Sequence, residues 1–133
     1  MKYIEIPSEY GMLELVAVDL TNRLNSTPLR IILAYRPPGY SCEDNKLFFN
    51  AREYLVHDCA RACVLGEFNS PEFQWSSYAH PNTELYNLAS KFICNNGLHQ
   101  FVEVPTREKN ILDIVLCSDV LACDNVDVSA VHL

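Results

Sequence analysis

Three short segments of this 133-residue chain combine residue types that do chemistry. Gly66-Glu67-Phe68-Asn69 ends an apolar run that begins at Ala62. On a strand, residues two apart share a face, so Glu67 and Asn69 would project together. A carboxylate beside a carboxamide at a strand end can hold a hard cation or orient a water. An Asx-type turn into Ser70-Pro71 is the competing structural explanation. The second segment, Ile111-Leu112-Asp113-Ile114-Val115-Leu116, sets an acid inside an apolar run, where burial is costly unless it is paired or hydrogen-bonded. In the third, Ala34-Tyr35-Arg36-Pro37-Pro38, a strand delivers a tyrosine and an arginine to a loop. Turn chemistry accounts for the prolines but asks for neither Tyr35 nor Arg36.

These residues need a sheet to hold them, and the hydrophobic pattern supplies one. Leu13 to Leu20 alternates with β-forming residues and reads as a half-buried strand, followed by a polar hairpin loop from Thr21 to Pro28. Leu29 to Tyr35 is a second strand. Glu43 to Cys59 carries Leu47, Phe48, Ala51, Tyr54 and Leu55 at helical spacing. Ala62 to Phe68 then reads as a buried strand entered from that helix, as a βαβ unit requires. Thr83 suits an N-cap for a helix through Leu85, Leu88, Ala89, Phe92 and Ile93, which Asn95-Asn96-Gly97 would stop. Phe101 to Val104, Ile111 to Cys117 and Val126 to Val131 are expected as three further strands. The mixture implies a layered α/β or α+β sandwich in one domain spanning residues 1–133.

Composition limits the function. With 49% hydrophobic and 20% charged residues the chain suits one globular domain. Its net charge of −7 provides no general attraction for phosphates, so strong independent nucleic-acid binding is not expected. The six cysteines form no C-x-x-C pair and mostly sit among apolar residues, which suits small buried hydrophobes. No apolar stretch approaches ~20 residues and the N-terminus lacks a signal-like apolar core, so no membrane role and an intracellular, reducing location are expected. His57, His80 and His99 are isolated, without ligand spacing. Phe73 and Trp75 would either cover the edge of a pocket or pack into the core.

Taken in order, Tyr35-Arg36-Pro37-Pro38, Gly66-Glu67-Phe68-Asn69 with Trp75 following, Gln100-x-Val102-x-x-Pro105-Thr106-Arg107 and Leu112-Asp113 resemble the endonuclease domain of non-LTR (LINE-type) retrotransposons. The resemblance runs from about Leu13 to Val131. It implies a partial two-sheet α/β sandwich of the endonuclease/exonuclease/phosphatase, or DNase I-like, fold. It further implies phosphodiester cleavage with Mg²⁺ or Mn²⁺, nicking of target DNA for retrotransposition, and a reverse transcriptase on the parent polypeptide. By position, Tyr35 would contact the scissile phosphate, Glu67 would orient or deprotonate the water, and Asn69 and Asp113 would share the pocket. Arg107, Thr106 and Arg36 would bind substrate, and Glu67 and Asp113 would give weak metal contacts in an incomplete metal site.

Three departures follow. The family's metal-ligand glutamate and its paired asparagine lie upstream of the Tyr-Arg-Pro-Pro element, and Glu5, Glu9 and Glu14 lie too near Tyr35 to replace that glutamate. The closing Ser-Asp-His is absent, and His132 does not stand in for it, so a domain truncated at both ends is expected. Glu67 also replaces the family's aspartate; one methylene moves a carboxylate by ~1.5 Å, and ~1 Å of misplacement costs on the order of 100-fold in rate. The expectation is an impaired or inactive nuclease. The alternatives are a non-catalytic binding remnant or a phosphoesterase of the same superfamily acting on a small molecule.

Overall fold

The apolar runs flanking Thr21 to Pro28 form an antiparallel hairpin, β2 (Glu14–Leu20) with β3 (Leu29–Tyr35), in which Leu15 pairs with Ala34 and Ala17 with Ile32. The computed structural model describes residues 1–21, 27–57, 59–69, 84–102, 106 and 113–118. Expectations placed on Phe73, Trp75, His80, Thr83, Pro105, Arg107, Ile111, Leu112, the strand Val126 to Val131 and His132 lie outside the described residues. Ahead of the hairpin, the two-residue strand β1 (Lys2–Tyr3) pairs with β2 and is followed by a 3-10 turn at Ser8–Tyr10. Neither has enough length to print a period on the sequence.

From β3 the chain crosses through helix α1 (Cys42–Val56) into β4 (Ala62–Glu67), which lies parallel to β3. This is the expected βαβ unit. The helix starts one residue before the expected Glu43, because Ser41 caps it in a reciprocal box with Asp44. It ends at Val56 rather than Cys59, since His57 turns out at ψ 131°. Helix α2 (Glu84–Asn95) packs against α1, and Gly97, at φ +60°, takes the left-handed turn that stops it. Strands β5 (His99–Gln100) and β6 (Asp113–Cys117) complete a six-stranded sheet in the order β1-β2-β3-β4-β6-β5. Of the strand expected at Phe101 to Val104, Phe101 and Val102 follow β5 (His99–Gln100) without being part of it, and residues 103 and 104 lie outside the described residues. The Gln100 amide folds onto Val102, accepting from its N–H at 2.6 Å and donating to its carbonyl at 2.7 Å, so Val102 bonds to a side chain instead of a ladder.

Alternation sorts the sheet into two faces. Leu15, Ala17, Ile32, Val64, Ile114 and Leu116 join Phe48, Phe49, Leu55, Phe68, Leu85 and Phe92 in one apolar core. Phe48, Phe49 and Phe68 meet edge to face with centroids 5.2–6.3 Å apart. The opposite face leaves Val16 and Leu33 46% and 51% exposed. Among the described residues there is one sheet with helices on one side, which is one layer of the expected sandwich.

Arg52 is the anomaly in this core. It is fully buried on α1, its guanidinium stacks over the Phe48 ring, and Nη1 donates to the Phe48 carbonyl. Among the described residues Nε and Nη2 have no hydrogen-bond partner. Burial pulls its pKa well below the usual arginine value, the direction expected when the charged form is penalised. A guanidinium does not deprotonate in a protein, so folding carries the desolvation cost. Arg52→Met keeps the volume and removes the charge, and is expected to stabilise the chain by about 1–4 kcal/mol. Thermal denaturation checks this; a destabilised Arg52→Met would mean that the guanidinium has a counter-charge.

Candidate active site at one end of the sheet

The segment Gly66-Glu67-Phe68-Asn69 divides its work residue by residue. Gly66 sits at φ +153°, and a Cβ there would lie 1.7 Å from the Ala34 carbonyl oxygen, so only glycine lets β4 approach β3 at this point. Glu67 projects to the face opposite the helices, in line with Leu65. Phe68, 2% exposed, anchors the segment between Phe48 and Phe49. Asn69 turns the chain at φ +48°, a left-handed conformation that asparagine tolerates better than most residues.

Register then lines up the predicted residues. Glu14 pairs with Tyr35, Tyr35 with Glu67, and Glu67 with Asp113, giving one row across β2, β3, β4 and β6. The Ser118 N–H donates to the Ala62 carbonyl, so Ala62 and Ser118 form a hydrogen-bonded pair and alternation makes Glu67–Asp113 a non-hydrogen-bonded one. Side chains are closest at such pairs, with Cα atoms about 4.5 Å apart. Like charges directly opposite one another weaken a sheet, and a cation between the two carboxylates would offset that. Asp113 is exposed, and its N–H donates to the Thr106 hydroxyl at 3.1 Å, which brings Thr106 to the same edge.

Arg36 goes elsewhere. It is only 6% exposed, and its guanidinium turns inward. Nε donates to Asn45 Oδ1 at 2.9 Å, and Nη1 donates to the carbonyls of Phe68 at 2.9 Å and Asn69 at 3.2 Å. Asn69 answers by donating from Nδ2 to the Arg36 carbonyl at 2.8 Å, and the Arg36 N–H reaches the Glu67 carbonyl at 2.8 Å. The loops after β3 and β4 are thereby clamped together, with Asn45 of α1 as the anchor. This geometry suits holding the loops and leaves the guanidinium turned away from solvent. Tyr40 borders the clamp with Arg36 6.0 Å from its ring centroid, and burial is the main cause raising its phenol pKa. Arg107 lies outside the described residues.

Glu14 lies near Tyr35 in the chain, and the hairpin makes that nearness a direct pairing. Glu14 is still two strands from Glu67, about 10 Å at the usual strand spacing. Asn45 was missed, since a polar residue early in a helix reads as solvated. Among the described residues no three His, Cys, Asp or Glu side chains gather closely enough to hold a metal. The Glu67–Asp113 pair suits a hard cation that keeps most of its waters, the habit of Mg²⁺. No helix among the described residues is long and apolar enough to cross a membrane.

No protein-family model and no curated protein sequence matches the chain. Solved structures do match in shape, among them two with TM-scores above 0.5. The endonuclease domain of TRAS1, a telomere-specific non-LTR retrotransposon, superposes with a TM-score of 0.57 at 18% identity, over 81% of this chain and 52% of that one. The human Nocturnin catalytic domain gives 0.52 at 16% identity, over 78% of this chain and 40% of that one. The chain has the DNase I-like fold. It spans about half the length of the TRAS1 domain and less of Nocturnin. Within this DNase I-like sheet, the row from Glu14 to Asp113 lies at the end where the parallel strands β3 and β4 terminate, where open α/β sheets commonly place ligands.

Proposed function

We propose that the chain carries part of a metal-dependent phosphodiesterase site of the DNA-nicking type, impaired by Glu67 in the place of an aspartate. The observation that supports it is the row Tyr35–Glu67–Asp113 beside the clamped Asn69. In this reading the Tyr35 phenol donates a hydrogen bond to a phosphate oxygen, and Glu67 orients the attacking water and takes its proton. Asp113 shares the pocket, while Thr106 and Arg107 meet the DNA backbone. Arg36 and Asn45 act as positioning residues, since their hydrogen bonds fix Asn69 and the Tyr35 loop rather than reach substrate. Mg²⁺ or Mn²⁺ held by Glu67 and Asp113 would neutralise phosphate charge. DNA is the proposed partner, with a reverse transcriptase on the parent polypeptide.

Net charge −7 favours a second reading, a non-catalytic remnant, because it weakens the field that draws DNA. Nicking of supercoiled plasmid in Mg²⁺ or Mn²⁺ separates the two. The nuclease reading expects trace nicking by the wild type and none by Asn69→Ala. Glu67→Asp should nick at least about tenfold faster, as expected when a carboxylate misplaced by a methylene is restored. No nicking by any variant, Glu67→Asp included, supports the remnant. Hydrolysis of a small phosphodiester without plasmid nicking supports a small-molecule phosphoesterase.

A further inference from the structure

At the other end of the same two strands, Cys63 of β4 pairs in register with Cys117 of β6. They lie four positions along from Glu67 and Asp113, so alternation makes theirs a non-hydrogen-bonded pair as well. The Ser118 N–H to Ala62 carbonyl bond of 2.9 Å flanks it directly. Both side chains therefore project to the same face from Cα atoms about 4.5 Å apart. A disulfide needs a Cα separation of roughly 4.4–6.8 Å with converging Cβ atoms, so the backbone already meets the requirement. From the other side Cys117 pairs with His99, which is exposed, and a row of thiol, thiol and imidazole crosses β4, β6 and β5.

We propose that Cys63 and Cys117 are an oxidative modification site, closing an intramolecular cross-strand disulfide when the chain meets a peroxide. The thiolate of one cysteine attacks a peroxide oxygen, the O–O bond breaks, and water leaves to give a sulfenic acid. The second sulfur attacks the first, the S–O bond breaks, a second water leaves and the S–S bond forms. The two thiols together lose two protons and two electrons, and hydrogen peroxide takes them up to become two waters. His99 is placed to accept the thiol proton and pass it to solvent. Cys63 is 6% exposed and Cys117 fully buried, so reaction proceeds through opening of β6. That strand is held on its outer side by the two-residue β5, a short contact for a local opening to break. Dithiols reopen the bond by thiol–disulfide exchange once β6 opens.

The bond would fix β4 to β6, the strands that carry Glu67 and Asp113, and it forms whether or not the chain hydrolyses phosphodiesters. The test is peptide mapping by mass spectrometry of the full chain after hydrogen peroxide, without reductant. The expected product is a monomer lighter by about 2 Da, with the Cys63 and Cys117 peptides joined. The joined peptide should vanish with dithiothreitol and be missing in Cys63→Ser and in Cys117→Ala. The oxidised monomer should melt about 5–10 °C higher than the reduced one, since the bond closes a long loop. Recovery of both cysteines as thiols while exposed Cys42 and Cys94 are oxidised would overturn the proposal. So would a joined peptide found only in dimers.

Discussion

Gly66→Ala is expected to leave the chain unfolded at room temperature. A Cβ at this position would stand 1.7 Å from the Ala34 carbonyl oxygen and 2.8 Å from its carbonyl carbon. Both are backbone atoms of the neighbouring strand, so no side-chain rotation relieves the clash. The β3–β4 pairing must open at the centre of the sheet, and the φ of +153° is strained for any L-residue besides. The loss should be at least about 4 kcal/mol, a large share of the stability of a small domain. Circular dichroism against temperature reads it directly. A folded Gly66→Ala with a normal melt would show that β3 and β4 are not paired as described.

Arg36→Ala should be the next most damaging change, at about 3–5 kcal/mol. The guanidinium satisfies Asn45 Oδ1 and the carbonyls of Phe68 and Asn69. Its loss strands Asn45 Oδ1 and the Phe68 carbonyl, whose bonds to it are buried, and frees the part-buried Asn69 carbonyl. Arg36→Lys should recover only part of the deficit, because an ammonium cannot match the planar fork. Urea denaturation of the two variants checks the order. A stability unchanged in Arg36→Ala would instead place the guanidinium outward, where it could meet a phosphate.

The contrast between Arg36 and Arg52 shows how far the sequence could be read. Long apolar runs such as Leu29 to Tyr35 and Ala62 to Glu67 declare themselves, and α1 between them forces the parallel crossover. The ordered motifs single out Tyr35, Glu67 and Asp113, and the register makes their strands neighbours. Arg52 lies one turn from Phe48 and less than a turn from Leu55, which set it on the buried stripe of α1. Charge argued the opposite, and packing prevailed. Asn45 and Arg36 were opaque for a related reason: their mutual hydrogen bond is what permits their burial, and pairings between distant residues leave no local period. The same holds for Cys63 facing Cys117, a relation set by the β4–β6 register and not by spacing. Alternation also cannot foresee a glutamine side chain taking the place of the ladder at Val102, inside the strand expected there.

Glu67 and Asp113 face one another at the end of the sheet, and the proposed function has them attract a cation there. Mn²⁺ titration followed by two-dimensional NMR tests it most directly, because a bound paramagnetic ion broadens nearby amide signals first. The signals of Glu67, Asp113 and Thr106 should be lost first, and those of His99 on β5 and Cys117 at the far end of β6 should persist longer. In Glu67→Gln the same amides should persist to at least about tenfold more Mn²⁺, since one of two carboxylates is gone. Uniform broadening across the acidic surface, unchanged in Glu67→Gln, would contradict it.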